Sequence, residues 1–200
     1  MALLGANGAG KSTLLLHLNG ILQSPGVKVC GLALERRNLK AIRQKVGLVF
    51  QNPDDQLFCP TVFDDVAFGP RHMGLGEADV ELRVARSLAQ VGLTGQRGRS
   101  AFHLSVGQKK RAALATVLAM APELLVLDEP TSNLDPRGRK EVRRLLQELG
   151  GTQLIATHDF TLVRELCQRA IVLSRGRKVA DGGVEEVLGA TALLEEHGLV

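Results

Sequence analysis

Short, unbroken apolar runs at Ala2–Leu4, Val46–Phe50, Leu124–Leu127, Leu154–Ala156 and Ile171–Leu173 alternate with longer stretches of mixed character. The runs read as strands buried on both faces, and the mixed stretches as amphipathic helices that cover them. Helices are expected over Ser12–Leu22, Glu77–Val91, Val106–Met120, Pro136–Leu149 and Phe160–Cys167. Strand and helix in alternation predict an α/β fold with a mainly parallel sheet. From Thr61 to Leu104 the pattern is helical and polar without a strong strand. Turn-rich sequence bounds it, Asn52-Pro53-Asp54-Asp55 before it and Gly92, Gly95 and Gly98 near its exit. Residues 61–104 are therefore expected to form a helical lobe inserted into a sheet core of about residues 1–60 and 105–200, the whole a single domain.

Composition narrows the field. The 200 residues are 44% hydrophobic, enough for one well-buried domain. Lys and Arg number 25 against 21 Asp and Glu, and the resulting charge of +4 is spread without a dense basic block. With no Trp or Tyr and only six Phe, the chain also lacks platforms for stacking bases, so nucleic acid is not an expected partner. Cys30, Cys59 and Cys167 fit neither a disulfide framework nor a metal knuckle. No basic start followed by an apolar core and a small-residue cleavage site is seen, so export is not expected, and the longest largely apolar stretch, Ala112–Ala121, is well short of the ~20 residues that span a bilayer. Any association with a membrane is expected to run through a partner.

Three motifs carry chemistry. Gly5–Thr13 reads GANGAGKST, a strand-to-helix turn with the spacing of a phosphate-binding loop. Its glycines let the N–H groups of Asn7, Gly8, Ala9, Gly10 and Thr13 turn toward phosphates, and the following helix directs its positive end there. Lys11 would reach the β- and γ-phosphates, and the Ser12 hydroxyl would ligate Mg²⁺. The second motif is Leu124–Glu129, four apolar residues ending in an acid pair at a strand's carboxyl end. Open α/β sheets bind ligands at that edge. Asp128 would hold Mg²⁺ through its water shell, and Glu129 would polarise the attacking water. The third is Leu104-Ser105-Val106-Gly107-Gln108. Ser105 and Gln108 make a capping box, and the helix start with its glycine is equally an anion site, suited to phosphates bound on another subunit.

In this order the motifs resemble the ATP-binding subunits of ABC transporters, over nearly the whole chain. The resemblance implies a P-loop NTPase sheet domain that binds ATP and Mg²⁺, and a head-to-tail pair of subunits in which Ser105, Gly107 and Gln108 of one cap the nucleotide on the other. It adds Gln51 as the lid-loop glutamine that reaches Mg²⁺ or the lytic water, Ser132–Asp135 as the loop that crosses the interface, and His158 as the switch histidine on the γ-phosphate. Asp135-Pro136 is also a plain helix cap, and the two readings can coexist. FQNPDDQLF from Phe50, TVFDDVAFGP from Thr61, LSVGQKKRAALA from Leu104 and HDFTLVRELCQRAIVLSRGRKVADG from His158 are closest to the energy-coupling-factor ATPases, including the cobalt and nickel uptake type. That likeness implies a second ATP-binding subunit, identical or related, and an integral membrane subunit docked near Gln51, with Asp54 and Asp55 facing its basic residues. The protein would then work at the cytoplasmic face of the membrane as a peripheral subunit.

The chain departs from the family pattern at Val106, where a second glycine is usual, and before Gly5, where the family's N-terminal strands and adenine-stacking aromatic are expected to be lacking. Three functions fit these residues: a transport motor, a soluble ABC ATPase acting on DNA or ribosomes, and a nucleotide-binding subunit with little turnover. The coiled-coil insertion or second nucleotide domain usual in the soluble class is absent from the sequence, and Glu129 argues against a subunit built to be inactive.

Overall fold

The computed structural model describes residues 1–199. The chain runs through β1 (Ala2–Leu4), α1 (Lys11–Leu18), a hairpin of β2 (Lys28–Val29) and β3 (Leu32–Ala33), α2 (Leu39–Lys45), β4 (Val46–Val49), α3 (Val62–Met73), α4 (Glu77–Gln90) and α5 (Val106–Leu118). It continues through β5 (Leu124–Asp128), α6 (Pro136–Leu149), β6 (Thr152–Ala156), α7 (Phe160–Leu166), β7 (Arg169–Ser174), β8 (Arg177–Gly183), α8 (Val184–Gly189) and α9 (Thr191–Glu196). Six strands form one sheet in the order β4-β5-β6-β1-β7-β8. All neighbours are parallel except β8, which returns antiparallel to β7. The expected α/β architecture with a mainly parallel sheet is thus the observed one.

The pleat divides each apolar run between two cores. Ala2 and Leu4 of β1, Val49 of β4, Leu125 and Leu127 of β5 and Ile155 of β6 point into the larger, which continues through α3, α4, α5, α6 and α7. Leu3, Val46, Leu48, Val126, Leu154 and Ala156 point the other way, onto Leu15 of α1, Ile42 of α2 and Val29 and Leu34 of the hairpin region. Each buried leucine or isoleucine contributes roughly 1.5–3 kcal/mol, and a one-residue slip would turn every one to the wrong side. Residues 61–104 contain α3 and α4 and no strand, and Val66, Val80, Val84 and Leu88 join the larger core without a break.

Several boundaries differ from expectation. The first helix ends at Leu18, not Leu22: Gly20 adopts φ +71°, a left-handed turn that stops the helix, and leaves Ile21 and Leu22 exposed. The edge strand β8, the hairpin β2–β3, and helices α2, α8 and α9 had no counterpart in the hydrophobic pattern. Among the described residues no helix is long and apolar enough to cross a membrane.

A local lock stands at the start of α3. Asp65 is buried, and its Oδ1 accepts the N–H groups of Phe58 and Cys59, both at 2.9 Å. Burial, followed by the charge of Asp65, pushes the Cys59 thiol up to about 11. At pH 8 its thiolate fraction is then about a thousandth, against roughly a quarter for an ordinary cysteine. Iodoacetamide labelling followed by mass spectrometry is expected to mark exposed Cys30 first. Cys59 should react about two orders of magnitude more slowly than a free thiol, accelerating tenfold per pH unit as pH rises. Equal rates for Cys59 and a free thiol at pH 8 would remove this account.

Candidate active site

The carboxyl ends of β1, β4, β5 and β6 bring together residues far apart in sequence: the Gly5–Thr13 loop, Gln51, Asp128 with Glu129, and His158. This is the ligand edge of an open α/β sheet.

The loop is tightly braced. A Cβ on Gly5 would lie 2.6 Å from the Leu173 carbonyl oxygen and 2.9 Å from the Ala9 Cβ, so only glycine fits there. Gly10 caps α1 with φ +103°, a conformation that side chains resist. The Lys11 ammonium, buried, donates to the carbonyl oxygens of Gly5 at 2.6 Å and Ala6 at 3.2 Å. From the β7–β8 turn, the Gly176 N–H donates to the Ala9 carbonyl at 2.9 Å. Asn7 and Gly8 are exposed and line a cleft together with Arg175 and His197. Ser12 and Thr13 are exposed on the first turn of α1.

Burial holds the Asp128 carboxyl above its usual range, and neighbouring Glu129 adds to the rise, while Ser12, Lys11 and Lys110 pull the other way. A hydroxyl beside a single half-buried carboxylate is a hard oxygen donor set. It suits Mg²⁺, which takes one or two carboxylates and completes its shell with phosphate oxygens and water. Among the described residues no three His, Cys, Asp or Glu side chains cluster as a protein-only metal cage would require.

Glu129 is the most constrained residue of the site. It is 6% exposed and has φ +47°, left-handed and strained for a residue with a side chain. Its N–H donates to the Ala156 carbonyl at 2.8 Å, tying it to β6. One carboxylate oxygen meets His158 Nδ1 at 2.9 Å, and the other accepts from the Thr157 hydroxyl at 3.2 Å. His158, expected on the γ-phosphate, thus has one ring nitrogen on Glu129, and its exposed ring keeps the other free to face a ligand.

Other expected residues take more modest positions. Ser105 accepts from the Gln108 N–H at 3.3 Å and Gln108 Oε1 accepts from the Ser105 N–H at 2.9 Å, completing the capping box of α5. A Cβ added to Gly107 would come within 3.8 Å of Leu134 Cδ2, so the Ser132–Asp135 loop runs beside the start of α5, and Lys110 bonds it at Ser132. Asp135 Oδ1 accepts from the Gly138 N–H at 2.7 Å and caps α6. Asp54, expected to face a membrane subunit, has an internal partner, Lys109 of α5, at 2.7 Å. Asp55 is exposed and accepts from the Asn52 side chain at 3.3 Å.

Two residues inside the quoted phrases were given no role by the sequence reading. Gln56 donates to the Ala113 carbonyl at 2.8 Å and the Thr116 hydroxyl at 2.7 Å, and accepts from the Phe50 N–H at 3.2 Å, fastening the loop after β4 to α5. Lys110 is 7% exposed and donates to the Gln51 carbonyl, the Glu129 carbonyl and the Ser132 hydroxyl at 3.0–3.1 Å. Burial draws its pKa down to about 8 against the opposing charges of Glu129 and Asp128. The signal was present: Lys110 precedes Ala113, Leu114 and Val117 on the apolar stripe of α5, where a lysine is out of place.

Residues 1–132 match the family profile described as "ABC transporter". The chain is 54% identical to a "Putative ABC transporter ATP-binding protein" of Streptomyces avermitilis, over its whole length and 77% of that relative. It is 49% identical to the "Energy-coupling factor transporter ATP-binding protein EcfA" of Carboxydothermus hydrogenoformans, over 98% of this chain and 74% of the other. A solved structure of CbiO1 from Clostridium perfringens, described as part of the ABC transporter complex CbiONQ, superposes with a TM-score of 0.83 at 40% identity, covering 98% of this chain and 81% of that one.

Proposed function

The chain belongs to the ABC transporter family as an ATPase subunit of the energy-coupling-factor type, and from that premise we propose how it works and with what. It acts as the motor of an importer for cobalt, nickel or a vitamin. Two ATP-binding subunits, identical or related, close head to tail on two nucleotides. An integral membrane subunit docks beside Gln51, Asp54 and Asp55, holding the protein at the cytoplasmic face of the membrane.

The observation that carries this reading is the placement of a buried, hydrogen-bonded Glu129 at the sheet edge where the Gly5–Thr13 loop opens. Loop N–H groups from Asn7 to Thr13 and Lys11 hold the β- and γ-phosphates. Bound between Ser12, Asp128 and Gln51, Mg²⁺ would neutralise charge on the phosphate oxygens. Glu129 accepts a proton from water as its oxygen attacks the γ-phosphorus; the bond to the β–γ bridging oxygen breaks, leaving ADP and phosphate. His158 orients Glu129 and meets the γ-phosphate with its other nitrogen. Ser105, Gly107, Gln108 and Asp135 close the site from the facing subunit. Residues 61–104 turn with α5 as a lobe.

A site shared between subunits is testable by complementation. Lys11→Ala and Ser105→Glu are each expected to be inactive alone in phosphate release from MgATP. Mixed in equal amounts they should regain about a quarter of wild-type activity, since half the dimers carry one intact composite site. No recovery on mixing would overturn the shared site for identical subunits and point to a related partner chain.

A further inference from the structure

Burying an ammonium is costly, and the apolar stripe of α5 would accept Met or Leu at position 110 without that cost. Lys110 nevertheless has all three N–H donors engaged, and its acceptors lie on two separate segments: Gln51 after β4, and Glu129 with Ser132 in the turn between β5 and α6. The Glu129 carbonyl does not need it, because the Ser132 N–H at 3.1 Å and hydroxyl at 2.9 Å already serve that oxygen. What the ammonium adds is a link between segments. Lys110 also sits little more than one turn from Ser105, on the same helix.

We infer that Lys110 is a positioning residue: it fixes the strained Glu129 backbone relative to Gln51 and the Ser105 end of α5, so that a shift of α5 moves the base. This rests on the reading of Glu129 as the group that activates water. A link of this kind acts chiefly on the chemical step, because none of its three partners belongs to the phosphate loop and Gln51 is held through its backbone carbonyl, not its side chain. Gln51 stands at the proposed docking side and Ser105 at the proposed subunit interface, so one side chain joins both inputs to Glu129.

The test compares Lys110→Met, which fills the space without a donor, with Lys110→Gln, which keeps two, in the full-length chain. The measurements are kcat and KM for MgATP and the Kd of a fluorescent ATP analogue. Lys110→Met is expected to lower kcat about tenfold or more with Kd within about twofold, and Lys110→Gln to recover part of the loss. Wild-type kcat in Lys110→Met, a parallel loss of kcat and nucleotide affinity, or no advantage of Gln over Met would each overturn the inference. Glu129→Gln run alongside separates the two claims. If Glu129→Gln keeps wild-type turnover, the base assignment falls and the inference with it; if only Lys110→Met keeps turnover, the inference alone falls.

Discussion

Glu129→Gln is expected to reduce MgATP hydrolysis roughly a hundred- to ten-thousandfold while nucleotide binding stays within a few-fold of wild type. The substitution changes little besides basicity. The backbone contacts to Ala156, Lys110 and Ser132 do not involve the side chain. An amide oxygen can still accept from Thr157, and the amide NH₂ can still face the His158 ring nitrogen in its neutral tautomer. Turnover is lost because a glutamine cannot take the proton of the attacking water. Phosphate release and fluorescent-nucleotide titration on the same preparation check both halves. Undiminished turnover would remove Glu129 from the mechanism, and loss of binding together with turnover would show that it serves the fold.

The second large effect falls on stability. Gly47 lies mid-strand in β4, paired with Leu125, and a Cβ there would stand 2.1 Å from Val117 Cγ1 and 2.9 Å from the Pro122 Cγ. Val117 is buried and β-branched and Pro122 is a ring, so neither neighbour yields cheaply to an approach that close. Gly47→Ala is expected to cost about 3 kcal/mol, which in a chain of this size lowers Tm by roughly 6–12 °C. Val117→Ala alone also destabilises, by opening a void in a buried site. The two together are expected to be more stable than Gly47→Ala alone, because the added methyl enters the space the valine leaves. Thermal melts of all four proteins check this, and a double variant no better than Gly47→Ala would mean that the strand backbone is the source of the cost.

The parts of the fold legible in the sequence are those where burial leaves no alternative. Leu124–Leu127 had to be a strand covered on both faces, and the acid pair after it had to emerge at the sheet edge. By contrast β8 reads RKVADGG: as an antiparallel edge strand it is only half buried, and its salt-bridged Asp181 disguised the pattern. Helix α2 buries only Ile42 and so gave no stripe. At α1 the apolar residues ran on through Leu22, yet backbone preference at Asn19-Gly20 outweighed them. The candidate site was legible wherever a motif concentrated it. It was not legible where partners come from distant segments, as for Lys110 with Gln51 or Lys109 with Asp54: the apolar stripe of α5 marks Lys110 as out of place, but no local pattern names the residue it meets. The glutamine at position 56 escaped for the same reason.

The pleat of the sheet also sorts labour. The helix that carries the phosphate loop packs on the smaller core, and the helix that carries Ser105 packs on the larger. Local unfolding on one side therefore need not spread to the other. Mutational drift in α3–α5 can alter packing in the larger core while the contacts around α1 are kept, and drift around α1 can leave α3–α5 in place. The two sides are joined through the strands whose alternate residues face each of them, and through the polar contacts at the strand ends.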